Sequence, residues 1–173
     1  RSCAMIHALQ TLLLVIFPAL VIVAALRDAT SYTIPNWIPL SLIAAFPVTA
    51  LALGLPLQAI EQQAAIGVAA LVVGMGMFAA RWIGGGDAKL FAAAALWIGW
   101  PATVTFLGIT GLAGGALAVG LLGLRSGFVR PYMPSGPAWL ARLVEPGQNV
   151  PYGVAIAVGA LVAFPNSALI GRF

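Results

Sequence analysis

Charge is what this chain has least of. Only 7% of its 173 residues are charged, four of them Asp or Glu and eight Lys or Arg. A soluble domain of this length cannot keep its surface in water with so few charges, which excludes that class. Cys3 is the single cysteine, so an internal disulfide and a four-cysteine zinc site are excluded as well. His7 is the single histidine, and its place near the outer end of the first apolar stretch suits an interfacial residue. No metal set can be assembled from these residues, and no cofactor is expected. The basic residues are scattered rather than clustered. The formal net charge of +4 therefore reads as membrane topology, and no nucleic-acid partner is expected.

What is present is apolar: 62% of residues are hydrophobic, and the mean hydropathy is +1.05. Apolar runs recur along the whole chain, unlike a signal peptide on a soluble body. This predicts an all-α polytopic membrane protein of about six transmembrane helices, one integral membrane domain over residues 1–173. A span needs about 20 apolar residues. The runs place helices over about Met5–Leu26, Pro35–Leu53, Gln63–Ile83, Ala88–Trp100, Ala102–Leu124 and from Val150 to a bend or end at Pro165. Residues 125–149 form the one long polar connection, with Glu145 read as solvated and residues 138–144 as a short surface-lying stretch. Gly111 and Gly115 form a GxxxG pair, read as a helix-packing device.

Six spans put Arg27, Arg81, Lys89, Arg125, Arg130 and Arg142 on one side and leave Arg1 and Arg172 on the other. By the positive-inside rule both termini face out, and Asp28 and Asp87 lie together on the cytoplasmic side. The fourth helix is short. Thirteen residues, Ala88–Trp100, rise only about 20 Å. If it reaches the outer face, Asp87 lies in a dip that water can enter. Before it come Gly84, Gly85 and Gly86, which are free to take positive φ and to offer bare backbone to an extended peptide.

Taken alone, each aspartate has a structural explanation. Asp87 suits a helix N-cap, and Asp28 suits an interfacial pair with Arg27. Together they suggest more, because ionisable groups close to a membrane interior are costly and usually functional. Two carboxylates a few ångströms apart do not both ionise easily, so one holds a proton while the other acts as a base. Such a pair activates a water towards a peptide carbonyl and protonates the carbonyl oxygen. The protons belong to the pair, and neither aspartate has a fixed role.

Three stretches, RDATSYTIPNWIPL (27–40), GGGDAKLFAAAALWIG (84–99) and VPYGVAIAVG (150–159), resemble landmarks of the prepilin peptidases with the GxGD signature. The resemblance implies that Asp28 and Asp87 are the catalytic aspartates. It implies a prepilin or pseudopilin as substrate, cut at the cytoplasmic membrane face between a short basic leader and a hydrophobic helix. Larger members carry a cysteine-rich zinc-binding domain and also methylate the new N-terminus. With one cysteine, this chain is most similar to the minimal peptidases of tight-adherence (Flp) pilus systems, the CpaA/TadV type, which implies cleavage without methylation. Pro35 and Asn36 are candidates for shaping the site or starting a helix. Lys89 is a candidate for tuning the pair, touching substrate or anchoring the membrane face, and Tyr152 for a hydrogen bond near the site or an interfacial anchor. A small proton-coupled transporter and a non-enzymatic assembly protein are the other readings. Transporters usually carry such aspartates mid-helix and in repeated halves, and an assembly protein does not call for a carboxylate pair.

Overall fold

The chain folds into helices packed around one that is short and deeply buried. The computed structural model describes residues 2–126, 143, 145 and 150–173, with side chains from residue 4 onward. These residues form six α-helices and no strand: α1 (Ser2–Ser31), α2 (Trp37–Ala52), α3 (Leu57–Ala79), α4 (Gly85–Ile98), α5 (Ala102–Leu124) and α6 (Tyr152–Ala163). Two short 3₁₀ turns, Phe164–Asn166 and Ile170–Arg172, follow α6. Most of the 125–149 connection, including residues 138–142, 144, Arg130 and Arg142, lies outside the described residues.

Four segments are long and apolar enough to cross a bilayer: Ala4–Ser31, Leu57–Ala79, Ala102–Leu124 and Tyr152–Arg172. The fourth includes both 3₁₀ turns, because Pro165 cannot continue α6 yet the apolar run carries on. The remaining two helices are shorter, α2 with 16 residues and α4 with 14, the latter about 21 Å long.

Shortness in α4 goes with its position. All five other helices pack against it. Leu90, Ala92, Ala93, Ala94, Ala95, Trp97 and Ile98 are buried along its length. In lipid, helices associate by close packing and not by hydrophobic exclusion, so a run of four alanines lets several neighbours approach at once. At its C-terminal end Trp97 stacks on Phe17 of α1, with ring centroids 5.4 Å apart. Its indole Nε1–H donates to the Leu42 carbonyl of α2 at 2.8 Å, inside the core. Phe17 also meets Phe164 at 4.5 Å, which ties the end of α6 to the same cluster.

Several helix boundaries differ from the sequence expectation, each for a local reason. Helix α1 runs on through Asp28 to Ser31, so Asp28 sits in its last turn rather than after it. Pro35 precedes α2 instead of opening it; Asn36 is the N-cap residue, and the Pro35 carbonyl accepts the Ile38 N–H. Helix α3 starts at Leu57, behind the extended Pro56, well ahead of Gln63. It ends at Ala79 in a Schellman arrangement, Arg81 N–H to Phe78 O and Trp82 N–H to Met77 O. The GxxxG reading of α5 is corrected. Among the described residues a Cβ built at Gly111 or Gly115 meets nothing within 4 Å, whereas one at Gly114 would lie 3.0 Å from the Tyr152 ring. Helix α5 therefore approaches α6 through a glycine outside the motif.

Candidate active site

Asp28 stands one turn from the end of α1 and is 4% exposed, while its neighbour Arg27 faces outward. Consecutive helical residues point about 100° apart, so an Arg27–Asp28 pair is replaced by a different partner. The Gly153 N–H, at the start of α6, donates to Asp28 Oδ2 at 2.7 Å across 125 residues of sequence. Only glycine allows this approach. A Cβ at Gly153 would stand 2.8 Å from Asp28 Oδ2 and 2.8 Å from Ile34 Cδ1.

Asp87 is the third residue of α4 and 7% exposed. It is not the N-cap residue; Gly84 is, with an extended backbone at φ −73° and ψ 155°. Asp87 Oδ2 reaches back to accept the Gly84 N–H at 3.0 Å, so it does cap the helix, but with one oxygen. The other oxygen, Oδ1, is buried and has no hydrogen-bond partner among the described residues. A helix cap does not require that orphaned acceptor. A buried acceptor left unpaired is costly, so helix capping alone does not account for the position of Oδ1.

The glycine run behaves differently from the sequence expectation. None of Gly84, Gly85 and Gly86 takes a positive φ, and the latter two are helical. The run provides space instead of an unwound strand. A Cβ at Gly86 would lie 3.0 Å from Ile34 Cβ and 3.2 Å from the Ile34 carbonyl oxygen. Without side chains there, the segment after α1 lies directly on the first turn of α4, and the two aspartates approach each other.

Both aspartates line one cavity of about 620 Å³, together with Tyr32, Arg81, Trp82 and Tyr152. It is formed where α1 and α3 end and α4 and α6 begin, so all four helix ends lie on one side of the bundle. The carboxylates are near enough for the charge on one to act on the other, and the Gly153 amide acts on both. Tyr152 lines the cavity, as the sequence suggested. Lys89 does not; it is exposed on the neighbouring face and its Nζ donates to Asn36 Oδ1 at 2.8 Å. Pro35 and Asn36 are likewise outside the cavity lining, and Asn36 holds Lys89 rather than Asp28.

Sequence reasoning missed Gly153, Tyr32 and Arg81. Tyr32 and Arg81, with φ of 52° and 61°, are the non-glycine residues in left-handed backbone among those described, and both line this cavity. Such a conformation costs about 1–2 kcal/mol per residue; at Arg81 it belongs to the turn that ends α3, and at Tyr32 it turns the chain out of the end of α1. Gly153 follows Tyr152 within a stretch already singled out, and a glycine at the first turn of an apolar helix was the available signal. Nothing local in the sequence marks Tyr32 or Arg81.

This arrangement can do acid–base work. Each aspartate has one oxygen tied by a backbone N–H from a helix start, which holds its carboxyl plane. Among the described residues Asp87 Oδ1 accepts no hydrogen bond, inside a cavity that both carboxyls share. Backbone donors on rigid helix ends position such groups more firmly than flexible side chains would.

A family model described as the type IV leader peptidase family matches residues 15–119, which contain both aspartates and the glycine run but neither Tyr152 nor Gly153. No curated protein and no solved structure matches the chain. A match across more than half of the sequence, over the segment that brings both buried carboxylates to one cavity, shows that the chain belongs to the type IV leader peptidase family.

Proposed function

We propose that this chain is an aspartyl endopeptidase of the bacterial inner membrane that removes the short basic leader from Flp-like prepilins at the cytoplasmic face, without methylating the product. The observation that carries this reading is the pair itself: Asp28 from α1 and Asp87 from α4, both buried, in one cavity at one end of the bundle. In the mechanism that follows, the ionised member takes a proton from a water, the water attacks the scissile carbonyl, and the protonated member donates to the carbonyl oxygen. Within these 173 residues a single cysteine is present, and the chain's similarity to the minimal, non-methylating members supports cleavage alone. The six-to-two division of Lys and Arg supports cytoplasmic placement of the cavity and periplasmic termini. Placement of both aspartates at one end of the bundle favours a peptidase over a transporter, whose ionisable groups lie near the bilayer centre.

Co-expression with a prepilin tests the proposal by mass spectrometry of the product. The parental chain should shorten the prepilin by its leader. Asp28→Asn and Asp87→Asn should each leave it at full mass while remaining folded in the membrane. The asparagine side-chain oxygen can still accept the Gly84 or Gly153 N–H, so a purely structural role leaves processing intact. Processing at near the parental rate by either variant would refute the aspartyl mechanism.

A further inference from the structure

Tyr32 directly follows α1 and has no part in the mechanism above. Its N–H donates to the Asp28 carbonyl oxygen at 2.9 Å, so the tyrosine is carried one turn beyond the aspartate on the same helix end. Its φ is 52°, the left-handed conformation through which the chain leaves α1. Glycine ends helices in this way at no steric cost, and a bulky aromatic residue does not. The turn therefore accounts for the backbone at this position but not for the choice of tyrosine.

Packing of the ring does not account for it either. Tyr32 lines the cavity that holds both carboxyls. Its hydroxyl is buried and, among the described residues, has no hydrogen-bond partner. A buried hydroxyl left unpaired is costly, and phenylalanine would offer the same ring without that cost. The other side-chain donors of the lining differ. Arg81 and Trp82 are exposed, and the Tyr152 ring rests on Gly114 of α5, where a Cβ would lie 3.0 Å from its Cε1. The counterpart of the phenol is Asp87 Oδ1, an acceptor of the same cavity that is also buried without a partner among the described residues. A donor and an acceptor that share one cavity without bonding each other suit a third group that bonds both, as a peptide carbonyl under attack by water does.

We propose that Tyr32 is a further catalytic residue, whose phenol O–H donates a hydrogen bond to the carbonyl oxygen of the scissile peptide. This role rests on the peptidase reading above. As the water oxygen bonds to the carbonyl carbon, the π pair of the C=O bond moves onto the carbonyl oxygen. That oxygen has lone pairs for two donors, the protonated aspartate and Tyr32. The aspartate gives up its proton, whereas the phenol keeps its own and leaves the step unchanged. A donor held where charge develops stabilises the transition state more than the bound substrate, so it acts on kcat rather than on KM.

The test compares Tyr32→Phe, Tyr32→Gly, Asp28→Asn and the parental chain, each purified in detergent, in steady-state cleavage of one prepilin and in thermal unfolding. Tyr32→Phe keeps the ring and removes the O–H. It should lower kcat about 100-fold with KM kept within about twofold, and its Tm should equal or exceed the parental value. Tyr32→Gly suits the left-handed turn, so a residue needed only to end α1 would be replaced without loss of rate. Here it should lose at least as much kcat as Tyr32→Phe. A kcat for Tyr32→Phe within about threefold of the parental value, beside an inactive Asp28→Asn, would overturn the role of Tyr32 and leave the peptidase reading standing. So would a loss confined to KM, or a loss of kcat that comes with a lowered Tm, since a hydroxyl serving the fold acts in that way. Absence of any cleavage by the parental chain refutes the peptidase reading, and this role with it.

Discussion

Adding one methyl group at Gly153 should separate the two aspartates' chemistry from the stability of the fold. In Gly153→Ala the new carbon would stand 2.8 Å from Asp28 Oδ2, 2.9 Å from Asp28 Cβ and 2.8 Å from Ile34 Cδ1. Ordinary carbon contacts begin near 3.5 Å, so the Asp28 carboxyl must retreat by about half an ångström or more. That retreat lengthens or breaks the 2.7 Å bond from the Gly153 N–H. A hydrogen bond to a charged acceptor is worth about 1.5–3 kcal/mol, and a displacement of about 1 Å in a catalytic group costs about a hundredfold in rate. Cleavage should therefore fall about 10- to 100-fold. Stability should change less. Overpacking costs about 1–3 kcal/mol, partly offset by about 0.5–1 kcal/mol from exchanging glycine for alanine in a helix. The assay is the initial rate of prepilin cleavage in membranes, with thermal unfolding in detergent run on the same preparations. Gly111→Ala and Gly115→Ala are the controls, because a methyl group there meets nothing within 4 Å. They should keep full activity and equal or slightly higher stability. Cleavage by Gly153→Ala within twofold of the parental rate would refute the claim that this glycine positions Asp28.

Three further outcomes are expected. The double variant Asp28→Asn/Asp87→Asn should process prepilin hardly worse than either single variant, since groups that act as a unit lose most activity on the first removal; additive losses in a kinetic comparison would contradict a shared function. Reporter fusions should place both termini in the periplasm, and cytoplasmic termini would put the aspartates on the wrong side for a prepilin leader. Trp97→Phe should keep the ring packing on Phe17 but lose the 2.8 Å bond to the Leu42 carbonyl, lowering stability by about 1 kcal/mol in detergent unfolding while leaving the aspartates in place.

Class and helix number were legible because hydrocarbon imposes them. Backbone groups in lipid must be satisfied within a segment, so each long apolar run between polar breaks becomes a helix, as α5 does from Ala102 to Leu124. The two aspartates were legible for a related reason: with four carboxylates in the chain, two at helix ends of one face stand out. Boundaries were less legible, because they depend on capping. Asp87 holding the Gly84 N–H starts α4 three residues ahead of Ala88, and Pro56 starts α3 six residues ahead of Gln63.

What only the tertiary structure decided is which face of each helix turns inward. In a soluble helix the inward face is apolar and the outer face polar, so sequence periodicity marks it. Here lipid replaces water, both faces are apolar, and that mark is missing. Gly114 and not the GxxxG pair therefore meets α6, Lys89 bonds Asn36 rather than facing the aspartates, and α4 becomes the buried centre of the bundle. The bond from Gly153 to Asp28, across 125 residues, exists only once α6 has packed against α1. The sequence alone marked the two aspartates, and the packing of small side chains between helices decided how they are arranged.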